Sequence, residues 1–225
     1  MSALPRPCVY LVTDRRRLAP SSRTLHDELT ALERFLDEAI AAAVDVIQIR
    51  ERDLDVRPLT GLAARVHARA RGAGARVLVS DRADVAWAAG ADGVHLRADS
   101  VPAARVRGLS AGWTIGRSVH ERDEASSVTG ADYLLFGTVF PSASKPAAWP
   151  VAGLDALASL TASVSLPVVA IGGVTAARVA ALAAAGAAGV AGIGIFLPPP
   201  TGLGPAAAVR ALRDAFEAAG RSWEH

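Results

Sequence analysis

The residues of this chain best suited to chemistry stand at the ends of short apolar runs, and their types fit the handling of anions and protons. Gln48, Arg50 and Arg52 alternate through one such segment, QIRER. Alternation puts Arg50 and Arg52 on one face, suited to bidentate contact with phosphate or carboxylate oxygens. A salt bridge from either arginine to the intervening Glu51 is the equally ordinary reading. Gly172-Gly173 and Gly192-Ile193-Gly194 let backbone N–H groups approach an anion closely, although a Gly-Gly pair alone also serves any turn. Lys145 is the only lysine in the chain, and it closes a polar segment that carries Ser142 and Ser144. A flexible ammonium there suits a phosphate. His120 ends the segment GRSVH, with Ser118 two residues earlier on the same face. An imidazole in that place can take or give a proton near neutral pH. His95 reads either way, as an acid/base group or as packing, and His26 and His67 fall on helical stretches. Asp81 could hold Mg²⁺ beside substrate phosphates or cap the helix beginning at Arg82.

Something must bring these scattered residues together. Eight β-type runs can be counted: VYLVTD from Val9, VDVIQIR from Val44, RVLVSD from Arg76, GVHLR from Gly93, TIGRSVH from Thr114, YLLFGTVF from Tyr133, PVVAIGG from Pro167 and GVAGIGIF from Gly189. Near-continuous apolar character marks strands buried on both faces of a parallel sheet. Helical stretches lie between them, the clearest from His26, where Leu29, Leu32, Leu36 and Ile40 recur at helical spacing. Others begin at Leu59, Ala176 and Pro205. Eightfold β–α alternation predicts a single (β/α)₈ TIM barrel domain spanning residues 1–225, with the polar residues gathered at the C-terminal strand ends. The phrase AGADGVHL from Ala89 is echoed at Thr129 and Ala185, each time with a glycine at a turn that needs positive φ.

Composition narrows the function classes. The formal charge is +2 and arginines interleave with acids, so neither nucleic acid nor a membrane is an expected partner. One cysteine, Cys8, excludes an internal disulfide framework and fits a reducing, cytoplasmic setting. The opening residues lack a leader's apolar core, and no run reaches membrane-spanning length. A homo-oligomer is compatible with everything read here.

Several segments, in order, resemble one family. QIRER, SDRADVAWAAGADGVHL from Ser80, GRSVH from Gly116, GADYLLFGTVFPSASK from Gly130 and PVVAIGGVTAARVAALAAAGAAGVA from Pro167 are similar to thiamine phosphate synthase and its relative thiazole tautomerase (TenI). The resemblance runs from about Val9 to Phe196 and implies a phosphate-binding barrel of thiamine biosynthesis. In the synthase branch a pyrimidine pyrophosphate is joined to thiazole phosphate with Mg²⁺. That branch implies ligand contacts from Gln48, Arg50, Arg52, Ser142, Ser144 and Lys145, and metal binding by Asp81. Its second metal aspartate falls at Ser100, with Asp99 one position away. In the tautomerase branch a proton is moved on a thiazole carboxylate phosphate without a cofactor, and the histidine of GRSVH, here His120, is the acid/base group. GRSVH, Arg52 and LFGTVF from Leu135 tip the expectation narrowly toward the tautomerase. Gln48 and Asp81 speak for the synthase, and a barrel that binds thiazole phosphate without turnover is the third reading.

Overall fold

The computed structural model describes residues 4–143, 145–146 and 148–220. Ser144, one of the expected ligand contacts, lies outside them. Eight parallel strands close in sequence order into a barrel: β1 (Cys8–Val12), β2 (Val46–Ile49), β3 (Arg76–Ser80), β4 (Gly93–Leu96), β5 (Thr114–Val119), β6 (Tyr133–Phe136), β7 (Val168–Ile171) and β8 (Gly189–Gly192). The helices are α1 (Arg15–Leu18), α2 (Leu25–Ala41), α3 (Val56–Ala70), α4 (Ala83–Ala89), α5 (Ala103–Arg107), α6 (Arg122–Ser126), α7 (Gly153–Ser163), α8 (Val179–Ala184) and α9 (Pro205–Ala218). All eight expected strands are present. No helix among the described residues is long and apolar enough to cross a membrane.

Two cores hold the barrel. The outer one lies between strands and helices, where α2 buries Leu32, Leu36 and Ile40 from the stripe read in the sequence. The inner one fills the barrel with Tyr10, Val12, Val46, Leu78, Tyr133, Leu135 and Val169. Burial on both faces is the reason these strands read as unbroken apolar runs.

The glycines of the echoed turns, Gly90, Gly130 and Gly186, do take positive φ, and two of those turns share a second purpose with the turn before β2. Asp45, Asp92 and Asp132 each stand just before a strand and accept the backbone N–H of Val9, Val77 and Ile115 at 2.7, 2.8 and 2.7 Å. Each carboxylate thus ties its own strand to the preceding one at the N-terminal end. Register is set there, and the opposite end is left to function.

Candidate active site

At the end of β2 the side chains of Arg50, Glu51 and Arg52 part company. Glu51 turns inward and is 4% exposed. It accepts from the Arg15 backbone N–H at 3.2 Å and its guanidinium at 3.1 Å, and Arg15 also grips Asp53 at 2.6 Å. Burial pushes the Glu51 carboxyl up, whereas the Arg15 hydrogen bond holds Asp53 down at about 2. With Glu51 occupied by Arg15, neither Arg50 nor Arg52 forms a salt bridge among the described residues. Burial, and then the charges of Arg50 and Arg97, lower the basicity of Arg52. Lys145, set 3.9 Å above the Trp149 ring, is lowered by burial and then by Arg50 and Arg52. Three cations therefore crowd one side of the mouth.

Under them a polar chain crosses the apolar interior. Gln48 donates to Ser80 and accepts from the Tyr10 hydroxyl at 2.9 Å. Tyr10 and Tyr133 hydroxyls meet at 2.9 Å, and Tyr133 meets His95 Nδ1 at 2.9 Å. His95 Nε2 ends the chain 2.8 Å from Ser118 Oγ. Each tyrosine has one proton, so donation by Tyr10 to Gln48 obliges Tyr133 to donate to Tyr10 and to accept from Nδ1–H. The His95 ring is then neutral with Nε2 accepting from Ser118. Gly116 makes room for this: a Cβ there would lie 2.1 Å from the Tyr133 ring and 2.5 Å from His95 Nδ1. Of the residues expected at the site, Gln48 and Ser118 belong to this chain, while Tyr10 and Tyr133 were read only as parts of apolar runs.

A cavity of about 660 Å³ opens beyond β7 and β8. Gly172, Gly173, Gly192 and Gly194 line it, with Ser142, Thr175, Arg17 and Arg178. The expected glycine site thus exists as a space, and two arginines that spacing did not single out join it. Arg178 donates to the Gly173 carbonyl at 2.5 Å and stacks on Phe140, so its charge is partly spent. Arg17 forms no ion pair among the described residues, and its guanidinium comes within 3.7 Å of a Cβ built on Gly194. Arg17 follows the capping residue Asp14 in α1, which is how the first loop reaches the eighth strand.

Asp81, expected to hold Mg²⁺ or to cap a helix, is paired with an arginine. It caps no helix; α4 has Arg82 at its N-cap. Its Oδ1 accepts the Arg97 N–H at 2.9 Å, and its Oδ2 pairs with Arg97 Nε at 2.5 Å. Asp99 reaches the same Nε at 3.1 Å. His120 is also set apart. It lies one residue past β5, is exposed, and is not among the residues lining the glycine cavity. Its Nδ1 donates to the Gly137 carbonyl at 2.7 Å, which leaves Nε2 as the basic nitrogen.

Residues 9–196 match the family model described as thiamine monophosphate synthase. The chain belongs to this family. Thiamine-phosphate synthase of Methanoculleus marisnigri is 43% identical over 215 residues, covering 94% of this chain and 96% of that protein. A putative thiamine-phosphate synthase of Geobacter sulfurreducens is 41% identical over 174 residues, covering 76% and 78%. Among solved structures, thiamine phosphate pyrophosphorylase from Pyrococcus furiosus superposes with a TM-score of 0.78 at 30% identity, covering 94% of this chain and 96% of its own. As a member of the thiamine monophosphate synthase family, the protein is an enzyme of thiamine biosynthesis. The names of these relatives favour the synthase over the tautomerase expected from GRSVH.

Proposed function

We propose that the protein is a thiamine phosphate synthase, acting on a small phosphorylated thiazole and a pyrimidine carrying pyrophosphate. The observation that carries this reading is the count of uncommitted charge at the mouth. Arg50, Arg52 and Lys145 lack a carboxylate partner among the described residues, and they lie close enough that Arg50 lowers the basicity of Arg52 and both arginines lower that of Lys145. Three such cations suit a pyrophosphate group; the carboxylate that the tautomerase substrate carries besides its phosphate calls for fewer.

In the reaction the methylene C–O bond to pyrophosphate breaks, and its electron pair leaves with the oxygen. The thiazole nitrogen lone pair forms the new C–N bond. No proton has to move, so His120 is not needed as an acid or base. Arg50, Arg52 and Lys145 would meet the charge that grows on the departing pyrophosphate. The glycine cavity with Arg17 would seat the thiazole phosphate, holding the nucleophile in place. Ser118, its proton engaged by His95, would present lone pairs to a donor on the substrate.

The family resemblance attaches Mg²⁺ to this chemistry, but the side chains present do not fit a protein-held ion. Mg²⁺ asks for near-octahedral oxygen ligands at about 2.0–2.1 Å. Both Asp81 oxygens are engaged by Arg97, and Ser100 stands where the resemblance expects a second carboxylate. No three His, Cys, Asp or Glu side chains converge as a metal site among the described residues.

One observation favours the tautomerase: the exposed His120 has its ring oriented by Gly137, which leaves Nε2 as an acceptor. The deciding experiment offers the purified protein each substrate set and follows products by mass. Thiamine phosphate with released pyrophosphate supports the synthase. Conversion only of the thiazole carboxylate phosphate to its aromatic isomer replaces it with the tautomerase, and binding without conversion of either set leaves a non-catalytic barrel.

A further inference from the structure

We infer that Arg97 takes the place of a divalent cation at the mouth of this barrel, so that pyrophosphate is held by fixed guanidinium charge and no metal is bound by the protein. The inference rests on the synthase reading for its substrate, but its geometry stands separately. Arg97 immediately follows β4 and lies between two carboxylates, Asp81 at 2.5 Å and Asp99 at 3.1 Å from the same Nε. Its backbone N–H takes the other Asp81 oxygen at 2.9 Å. Arg97 therefore contacts both Asp81 oxygens, one through its backbone N–H and one through its guanidinium.

The arrangement is built in advance. Asp81 has φ +58°, in the left-handed region that a short polar side chain with local hydrogen bonds can adopt. The Arg97 contacts and the Asp81 N–H bond to the His95 carbonyl at 2.9 Å hold it there. Asp99 lies on a loop that is likewise pinned. Arg117 donates to the carbonyls of Ala98, Ser100 and Val101 at 2.6, 3.1 and 2.8 Å. Because Arg117 belongs to β5, the loop after β4 is fastened to the neighbouring strand.

Charge argues in the same direction. Arg52 feels the cations Arg50 and Arg97 and the carboxylates Asp81 and Asp99, and Lys145 feels Arg50 and Arg52. A divalent ion would have to expel the guanidinium from between the carboxylates and then sit beside the remaining cations. The Arg97 side chain stays 43% exposed, so its planar fork can still meet phosphate oxygens from solvent. A compact ammonium would lack that fork, and glycine would lack the charge.

The test uses Mn²⁺ as a spectroscopic probe of the metal-free protein, alongside inorganic pyrophosphate. Titration followed by electron paramagnetic resonance should show no stoichiometric Mn²⁺ on the wild type or on Arg97→Lys, and one Mn²⁺ on Arg97→Gly. Calorimetry in EDTA should show pyrophosphate bound by the wild type and weakened roughly 10- to 100-fold in Arg97→Gly, as expected for one charge-assisted contact. Synthesis of thiamine phosphate should persist in EDTA. Stoichiometric Mn²⁺ on the wild type that Asp81→Asn removes would overturn the inference, as would synthesis that needs added Mg²⁺. Should Arg97→Gly not fold, the wild-type and Arg97→Lys titrations decide alone. Exclusion of Mn²⁺ with no thiamine phosphate formed under any condition would support the placing of Arg97 and overturn only the synthase reading.

Discussion

His95 and Ser118 meet inside the barrel at 2.8 Å, the imidazole Nε2 accepting the hydroxyl proton. Burial first, then the charges of Arg117 and Arg50, hold this imidazole down to about 3. The pair therefore links the interior hydrogen-bond chain to the mouth through a histidine that stays neutral. It also makes a pH-dependent contribution to folding.

That contribution has a definite sign. The folded pKa of His95 is below the unfolded value of about 6.5, so above that pH the ring is neutral in both states. As pH falls below about 6.5 the unfolded chain takes a proton that the folded protein refuses until about pH 3. Stability should be lost over that window, with a slope of up to about 1.4 kcal/mol per pH unit from this group. Urea unfolding between pH 4 and 7 measures it, and His95→Gln should flatten the slope. An unchanged slope in the folded variant would assign the acid sensitivity elsewhere.

The two cationic regions should separate by ligand. Arg50→Ala and Arg52→Ala should each weaken inorganic pyrophosphate binding by roughly 10- to 100-fold, the loss of a charge-assisted contact. Arg17→Ala should do the same for thiazole phosphate and leave pyrophosphate nearly untouched. Calorimetry with each ligand checks this. Equal loss of both ligands in all three variants would mean one shared anion site. Gly173 is a poor probe of the cavity, since its φ is +61° and a Cβ would lie 2.4 Å from the Pro141 carbonyl oxygen.

His120 distinguishes the two branches of the family. In synthesis no proton is transferred, so His120→Gln should keep turnover within about threefold, less than 1 kcal/mol. A loss of roughly 10²–10⁴-fold, the range for a positioned acid/base group, would restore a proton-transfer role. Steady-state kcat measured beside the Kd of each substrate separates these outcomes.

Gly116→Ala should destabilise without touching a ligand. The added methyl would press on the Tyr133 ring and on His95 Nδ1, both fully buried. Overpacking of this kind costs about 1–3 kcal/mol, read as a lowered Tm. An unaltered Tm would show that the interior chain has slack.

Much of this molecule was legible before any coordinates. Buried parallel strands must be apolar on both faces, so the eight runs and their order could be counted directly, and the barrel followed from their number. Polar residues that interrupt such runs at one end can only lie at the mouth, which is why Gln48, Arg50, Arg52, Ser118 and the glycines of the last two strands could be placed there from the sequence. Arg17 and Arg178 could not be placed beside the cavity in this way, because each reaches it from a helical segment whose periodicity says nothing of that direction.

Pairing was decided by the tertiary structure. From spacing alone, Glu51 was as good a partner for Arg50 or Arg52 as any; its actual partner, Arg15, is 36 residues away and reaches it because β1 and β2 are neighbours. Asp81 looked like a metal ligand or a cap until β3 and β4 lay side by side and brought Arg97 against it. The interior chain from Gln48 to Ser118 draws on β1, β2, β4, β5 and β6, and no local pattern could have revealed it. Periodicity and turn chemistry are local, so the chain itself determined strands, turns and the end of the barrel that carries polar groups. Charges and hydrogen bonds act through space, so which cations remain free to meet an anion was settled only when the barrel closed.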